Sequence, residues 1–206
     1  MLNLVLKDLR FQKKNLMFII AYLILFGFIF SDEQGFNIAT MIIPLGMLIL
    51  GLTPWRYDDY YNMDIIFCSM PVRRSDIVIA RYVGSLIYVI FMTLIIMLLA
   101  IIINVSNLEV FGNFTRIKLG DYTLGIIYAL VIIATTFPIY FKFGTKKGKI
   151  TVALFMGIFM AMSVGMEKFT TFFNQSYNAT LGFIACCILF VISIFISLNI
   201  YNKVEL

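Results

Sequence analysis

Two places in this 206-residue chain have residue types and spacing that could do chemistry. Gly144-Thr-Lys-Lys-Gly148-Lys149-Ile150 comes nearest to a nucleotide-binding loop. Such a loop needs four residues between its glycines and Lys-Ser/Thr after the second, so that backbone amides cradle phosphate and a hydroxyl holds magnesium. Here the glycines stand one residue too close, and Ile150 occupies the place of the hydroxyl. The stretch reads as a basic turn, so the chain is expected not to hydrolyse ATP and to carry no cofactor itself. There is no histidine, which removes Ser–His and zinc–His arrangements. Cys68, Cys186 and Cys187 are odd in number and two are adjacent, so neither a disulfide framework nor a metal site follows. No catalytic residue is assigned.

The second place is Arg56–Arg81, which mixes four acids and four bases with aromatic residues. On a helix, Tyr57, Tyr60, Tyr61 and Asp64 fall near one face, with Met63, Ile66 and Phe67 on the adjacent one. Exposed aromatics at that density suit a protein partner better than water. Pro71 ends this helix, because proline removes a donor and restricts Met70 before it. Ser75 is expected to cap a second helix beginning at Asp76, whose acid suits the positive helix end. The expectation is a docking hairpin of helix, proline break and helix.

The elements around these two places are apolar. Uncharged stretches cover residues 16–30, 36–55, 82–106, 122–141, 150–166 and 176–202. A helix rises about 1.5 Å per residue and the hydrocarbon core is about 30 Å thick, so roughly 20 apolar residues span it. Four stretches reach that length. Residues 16–30 and 150–166 are short and need flanking lysines to snorkel or the bilayer to thin. The reading is an all-α polytopic membrane protein, one transmembrane domain over 1–206, with six spans. The basic start followed by residues 16–30 lacks a small-x-small cleavage site and reads as a span, not a removed leader.

Lysine and arginine orient the spans. Thirteen fall in the N-terminal tail, the loops after spans two and four and the C-terminal tail; three, Arg116, Lys118 and Lys168, fall on the other side. That asymmetry places both termini in the cytoplasm. The net charge of +5 is explained by basic residues beside lipid headgroups, and no nucleic-acid partner is expected. In residues 1–15, Leu2, Val5, Leu6 and Leu9 repeat at helical spacing opposite Asn3, Lys7, Arg10 and Lys14, which predicts an amphipathic helix lying on the inner leaflet. In span five, Gly157, Ala161 and Gly165 form a small-residue face suited to close helix or subunit packing. Met156, Met160, Met162 and Met166, with Tyr22, Phe26, Phe28 and Phe30 of span one, offer an adaptable lining for apolar cargo, although such side chains in membrane helices mostly face lipid or neighbouring helices.

The run from Asp64 to Tyr82, with its acid, Ser-Met-Pro-Val element, Arg73-Arg74 pair and Ala-Arg-Tyr ending, resembles the segment between spans two and three of ABC type-2 exporter permeases. It is most similar to the group that includes the staphylococcal phenol-soluble modulin exporter membrane subunits. Met70 stands where leucine is usual, a volume-conserving change. The resemblance implies that residues 57–69 form a coupling helix seated on a separate ATPase, with Pro71, Arg73 and Arg74 anchoring the return to the membrane. It also implies two ATPase copies that hold ATP and magnesium, a second permease subunit, identical or paralogous, a bacterial cell membrane, and amphipathic or antimicrobial peptides as cargo. A stand-alone peptide-binding immunity protein and an ion-coupled carrier are the alternatives. The spans carry no interior charge, which weighs against the carrier, while Pro44 and Pro138 are places where spans two and four could break and expose carbonyls.

Overall fold

The computed structural model describes residues 2–12, 21–22, 25, 38–61, 73–106, 117–163 and 176–203, with backbone alone at 2–3, 11, 38, 106, 145–163, 176–179 and 202. Among them are five helices: α1 (Leu2–Gln12), α2 (Ile38–Tyr60), α3 (Arg74–Ser106), α4 (Leu119–Ser163) and α5 (Ser176–Lys203). No described residue forms a strand. Many of these residues are Ile, Val and Phe, which favour strands in water. In lipid, a backbone without water must close its own hydrogen bonds, and helices of 20 or more residues do so.

Four described helical segments are long and apolar enough to cross a membrane: Ala39–Tyr60, Arg74–Val105, Leu119–Gly144 and Thr180–Tyr201. They overlap the expected spans two, three, four and six. Span one lies outside the described residues apart from three positions, and span five is helical in backbone as far as Ser163. The helices run past the apolar stretches because polar residues at a span's end continue the same hydrogen-bond ladder. Thus α2 extends through Trp55 to Tyr60, and α3 starts at Arg74.

The helix starts correct one expectation. Asp76 donates its backbone N–H to the Arg73 carbonyl at 2.9 Å, so Arg73 occupies the cap position and Ser75 lies inside the first turn. At α4, Lys118 caps and the Asp121 carboxylate accepts the Lys118 N–H at 2.8 Å, the reciprocal half of a capping box. In the stretch expected to connect spans four and five, two helical segments of α4 meet at a kink at Gly144, whose φ of 68° and ψ of −177° lie where side-chain-bearing residues are strained.

Helices α2 and α4 are the buried pair, and α3 and α5 pack outside them with much of their apolar surface outward. Close approach occurs at Gly125, where a Cβ would stand 2.9 Å from the Ala39 carbonyl oxygen of α2 and 2.8 Å from Ile43 Cδ1. The core is Ile42, Ile43, Met47, Met92, Ile96, Ile133 and Phe137 with their neighbours.

The helices pass through Pro44, Pro54 and Pro138 without breaking at the prolines. A helical proline leaves the carbonyl four residues earlier without its donor. Two of those carbonyls are satisfied from another helix. Gln12 of α1 donates its amide to Leu50 O, freed by Pro54, at 2.6 Å. Ser193 of α5 donates its hydroxyl to Ala134 O, freed by Pro138, at 2.7 Å. Pro138, named above as a place where span four could break and expose a carbonyl, does not break it: the helix continues and Ser193 takes the oxygen.

A charged end with an exposed tyrosine turn

One end of the bundle collects the C-terminal ends of α2 and α5, the start of α3, the Phe141–Gly144 part of α4 and all of α1. A polar link joins α3 to α5 here: the Arg74 guanidinium donates to the Tyr201 carbonyl at 3.4 Å, a cation at a helix C-terminus. Trp55 of α2 lies within an aromatic wall of α4, its ring centroid 4.7 Å from Phe141 and 5.3 Å from Tyr140. Phe141 in turn meets Tyr201 of α5 edge-on at 5.3 Å.

Beside Trp55 stands the feature that sequence reasoning missed. Arg81, 6% exposed, is held between two carboxylates. One Nη donates to Asp8 of α1 at 2.7 Å, and the other pairs with Asp58 of α2. Lys7 completes the group, 3.0 Å from Asp58 and 3.6 Å from the second oxygen of Asp8. The Arg81 guanidinium also lies 5.2 Å from the Trp55 ring centroid, within cation–π range. Burial, and then the nearby Arg81 charge, push the Lys7 ammonium below its ordinary value, while Asp8 pulls the other way. Two cations and two anions sum to zero, as buried charge requires.

This corrects the reading of α1. The helix forms, but Val5, Asp8 and Gln12 are buried against α2 and α3, and Leu6 faces outward. It also corrects the reading of mixed charge as a docking signal: Asp58 and Arg81 of the hairpin are used internally. Two signals were available in the sequence. Asp8 interrupts the stripe made by Val5 and Gln12 at spacings of three and four, and Pro54 frees a carbonyl that must find a donor.

Two tyrosines face outward at this end, beside the exposed charges of Arg10, Arg56, Asp59 and Arg73. Tyr60 is 79% exposed and Tyr61 50%. Tyr57 stacks with Tyr61 at 6.3 Å, and Tyr60 meets Tyr61 edge-on at 5.0 Å. With Thr53 and Arg56, the three tyrosines line a notch of about 300 Å³. Arg73 is exposed and Arg74 half-buried at the start of α3. Asp64, Phe67, Pro71 and Gly165 lie outside the described residues. Gly157 and Ala161 lie on the backbone-only part of α4, so the expected packing face falls outside the described side chains. The suggested Phe and Met lining does so too, for the most part.

Towards the middle of the bundle, Tyr82 donates or accepts at both Ser193 (2.7 Å) and Ser197 (2.8 Å) of α5. Higher still, α3, α4 and α5 enclose an apolar groove of about 460 Å³ lined by Leu86, Thr93, Ile126, Leu130, Phe183 and Cys187, among others. The Thr93 hydroxyl is turned back onto the Val89 carbonyl at 2.8 Å, so it offers nothing polar to the groove. Among the described residues, no group of acidic residues and cysteines could hold a metal ion.

Long apolar helices with a charged end define a multi-pass membrane component. Residues 3–202 match the family described as ABC-2 family transporter protein, and the chain belongs to that family. Its members are the membrane-spanning, non-catalytic parts of ABC transporters, and membership implies an ATPase partner. Neither the curated proteins nor the solved structures compared with the chain include a match.

Proposed function

We propose that this chain is the permease subunit of an ATP-driven exporter of amphipathic or antimicrobial peptides, and that its ATPase seats on the Tyr57–Tyr61 turn. The observation that carries the proposal is the clustering of the exposed Tyr60 and Tyr61 with the half-buried Tyr57 at the end of a spanning helix, while Asp58 on the same turn is paired inward with Arg81. Aromatic side chains combine large apolar area with a polar tip, and they anchor protein interfaces. The asymmetry of lysine and arginine supports a cytoplasmic position for this end, where ATP is available.

On this reading ATP and magnesium belong to two copies of the partner ATPase, and a second permease subunit, identical or paralogous, completes the pathway. Asp64, Phe67, Pro71, Arg73 and Arg74 extend the docking surface beyond Tyr61. The apolar groove between α3, α4 and α5 matches the apolar face of an amphipathic peptide in chemistry. The closing of the ATPase pair would tilt α2 and α3 through the tyrosine turn. The test is co-purification in mild detergent after replacing Tyr60, Tyr61 and Asp64 by alanine. The altered chain should insert normally and lose its ATPase; normal ATPase recovery would remove the docking assignment.

A further inference from the structure

We infer that Arg81 is a positioning residue which bolts the N-terminal helix to the tyrosine turn, so that α1, the end of α2 and the start of α3 move as one body. The inference rests on the proposed docking reading only in its last step, that motion of the ATPase is what moves the body.

The attachment of α1 is polar and two-ended. Lys7 reaches Asp58 at 3.0 Å, and Gln12 reaches Leu50 O at 2.6 Å. Those partners lie eight residues apart on α2, about 12 Å of helix, while Lys7 and Gln12 lie five apart, about 7.5 Å of α1. The two helices therefore run in opposite directions and are tied at both ends of their overlap. Arg81 adds the third helix by holding Asp8 and Asp58 at once. Asp58 is on the same turn as Tyr57 and Tyr61, so a short polar path from the exposed tyrosines to both α1 and α3 passes through it.

An apolar seam would not confine α1 in the same way. At a membrane surface, lipid competes for Val5, Leu6 and Leu9, and helices can slide over greasy contacts at little cost. A buried charge cannot slide, because each shift leaves a carboxylate or a guanidinium without its counter-ion in a poorly hydrated place. The quartet is also little affected by salt, since buried pairs are screened far less than exposed ones. What amphipathic patterning presents as a lipid-seated helix is thus a lever fixed to the hairpin.

The experiment uses the full chain in lipid nanodiscs, with Cys68, Cys186 and Cys187 replaced by serine. Spin labels are placed through Leu6→Cys on α1 and Val83→Cys on α3, both exposed positions, and their separation is measured by pulsed dipolar spectroscopy. The parent should give one narrow distance distribution, unchanged by salt at roughly 0.5 M, as expected for buried pairs. Asp8→Asn, which keeps the shape and removes one counter-ion, should broaden it at least about twofold by releasing α1. If Asp8→Asn does not yield folded protein, Lys7→Met at the edge of the quartet serves in its place and should broaden the distribution to a smaller extent. An unchanged width in the folded variant overturns the inference. The last step is read separately, with the ATPase co-expressed: Asp8→Asn should retain the ATPase and lose most nucleotide-driven transport. Full transport with a broadened distribution would overturn the lever role. Failure of the parent itself to bind an ATPase would sink the docking proposal and leave the bolt standing.

Discussion

Replacing Arg81 by methionine removes the more deeply buried of the two cations that Asp8 and Asp58 share, and the cost can be worked from the geometry. Two unit charges 4 Å apart attract by about 4 kcal/mol at an effective dielectric constant of about 20, so the Asp8 and Asp58 contacts are large when taken alone. Taking the guanidinium out of water opposes them by several kcal/mol, which leaves the intact group near balance. Removal of Arg81 is not balanced: Asp8 and Asp58 then face each other with Lys7 alone between them. Breaking a buried pair in this way costs about 3–5 kcal/mol, and loss of the contact with Trp55 adds about 0.5–2 kcal/mol. Stranding a carboxylate therefore outweighs losing the ring contact. For a chain of this length about 2–4 °C of melting temperature accompanies each kcal/mol. Taking the 3–5 kcal/mol alone, Arg81→Met should melt about 6–20 °C below the parent.

Trp55 is the chain's single tryptophan and lies against Arg81, so intrinsic fluorescence in detergent reports melting at the site itself. The decisive comparison is with the variant carrying Lys7→Met, Asp8→Asn, Asp58→Asn and Arg81→Met together. It removes every charge of the group with little change in volume, and it should recover most of the lost stability. A single variant as stable as the parent, or a fourfold variant worse than the single one, would refute the claim that stranded charge dominates.

Two further outcomes are expected. Gly125→Ala should lower the melting temperature more than Gly46→Ala: the new methyl at Gly125 meets the Ala39 backbone, whereas at Gly46 it meets the flexible end of Met92. Overpacking against backbone costs about 1–3 kcal/mol, and equal melting points would show that α2 and α4 are free to separate. Tyr82→Phe leaves the Ser197 hydroxyl without its phenol acceptor and should cost about 1–3 kcal/mol; thermal melting that matches the parent would show that another acceptor replaces it.

The parts of the molecule that were legible in sequence are those governed by local rules. Residues 36–55, 82–106, 122–141 and 176–202 announce spans by length and lack of charge, and each overlaps a long apolar helix of the structure. Absence of charge marks the apolar stretch and not the helix: Tyr57–Tyr60 and Asp76–Arg81, expected to be helical within the hairpin, belong to the same helices as spans two and three. The tyrosine turn was readable because aromatic residues outside an apolar stretch are conspicuous. The quartet was not, since Asp8 and Arg81 are 73 residues apart and Lys7 and Asp58 are 51. Charge near a span reads as orientation in the sequence; only the crossing of three helices turns it into a closed site.

The prolines of α2 and α4 have a consequence for how this bundle can rearrange. Grease against grease in a bilayer sets no register, so two such helices could ratchet along each other by a turn. Gln12 at Leu50 O and Ser193 at Ala134 O act as index pins, each fitting one bare oxygen and no neighbour along the ladder. A longitudinal slip of about 5.4 Å, one turn, would strand an acceptor in oil. Gating is thereby restricted to swivelling about these pins, with the helices keeping their places lengthwise.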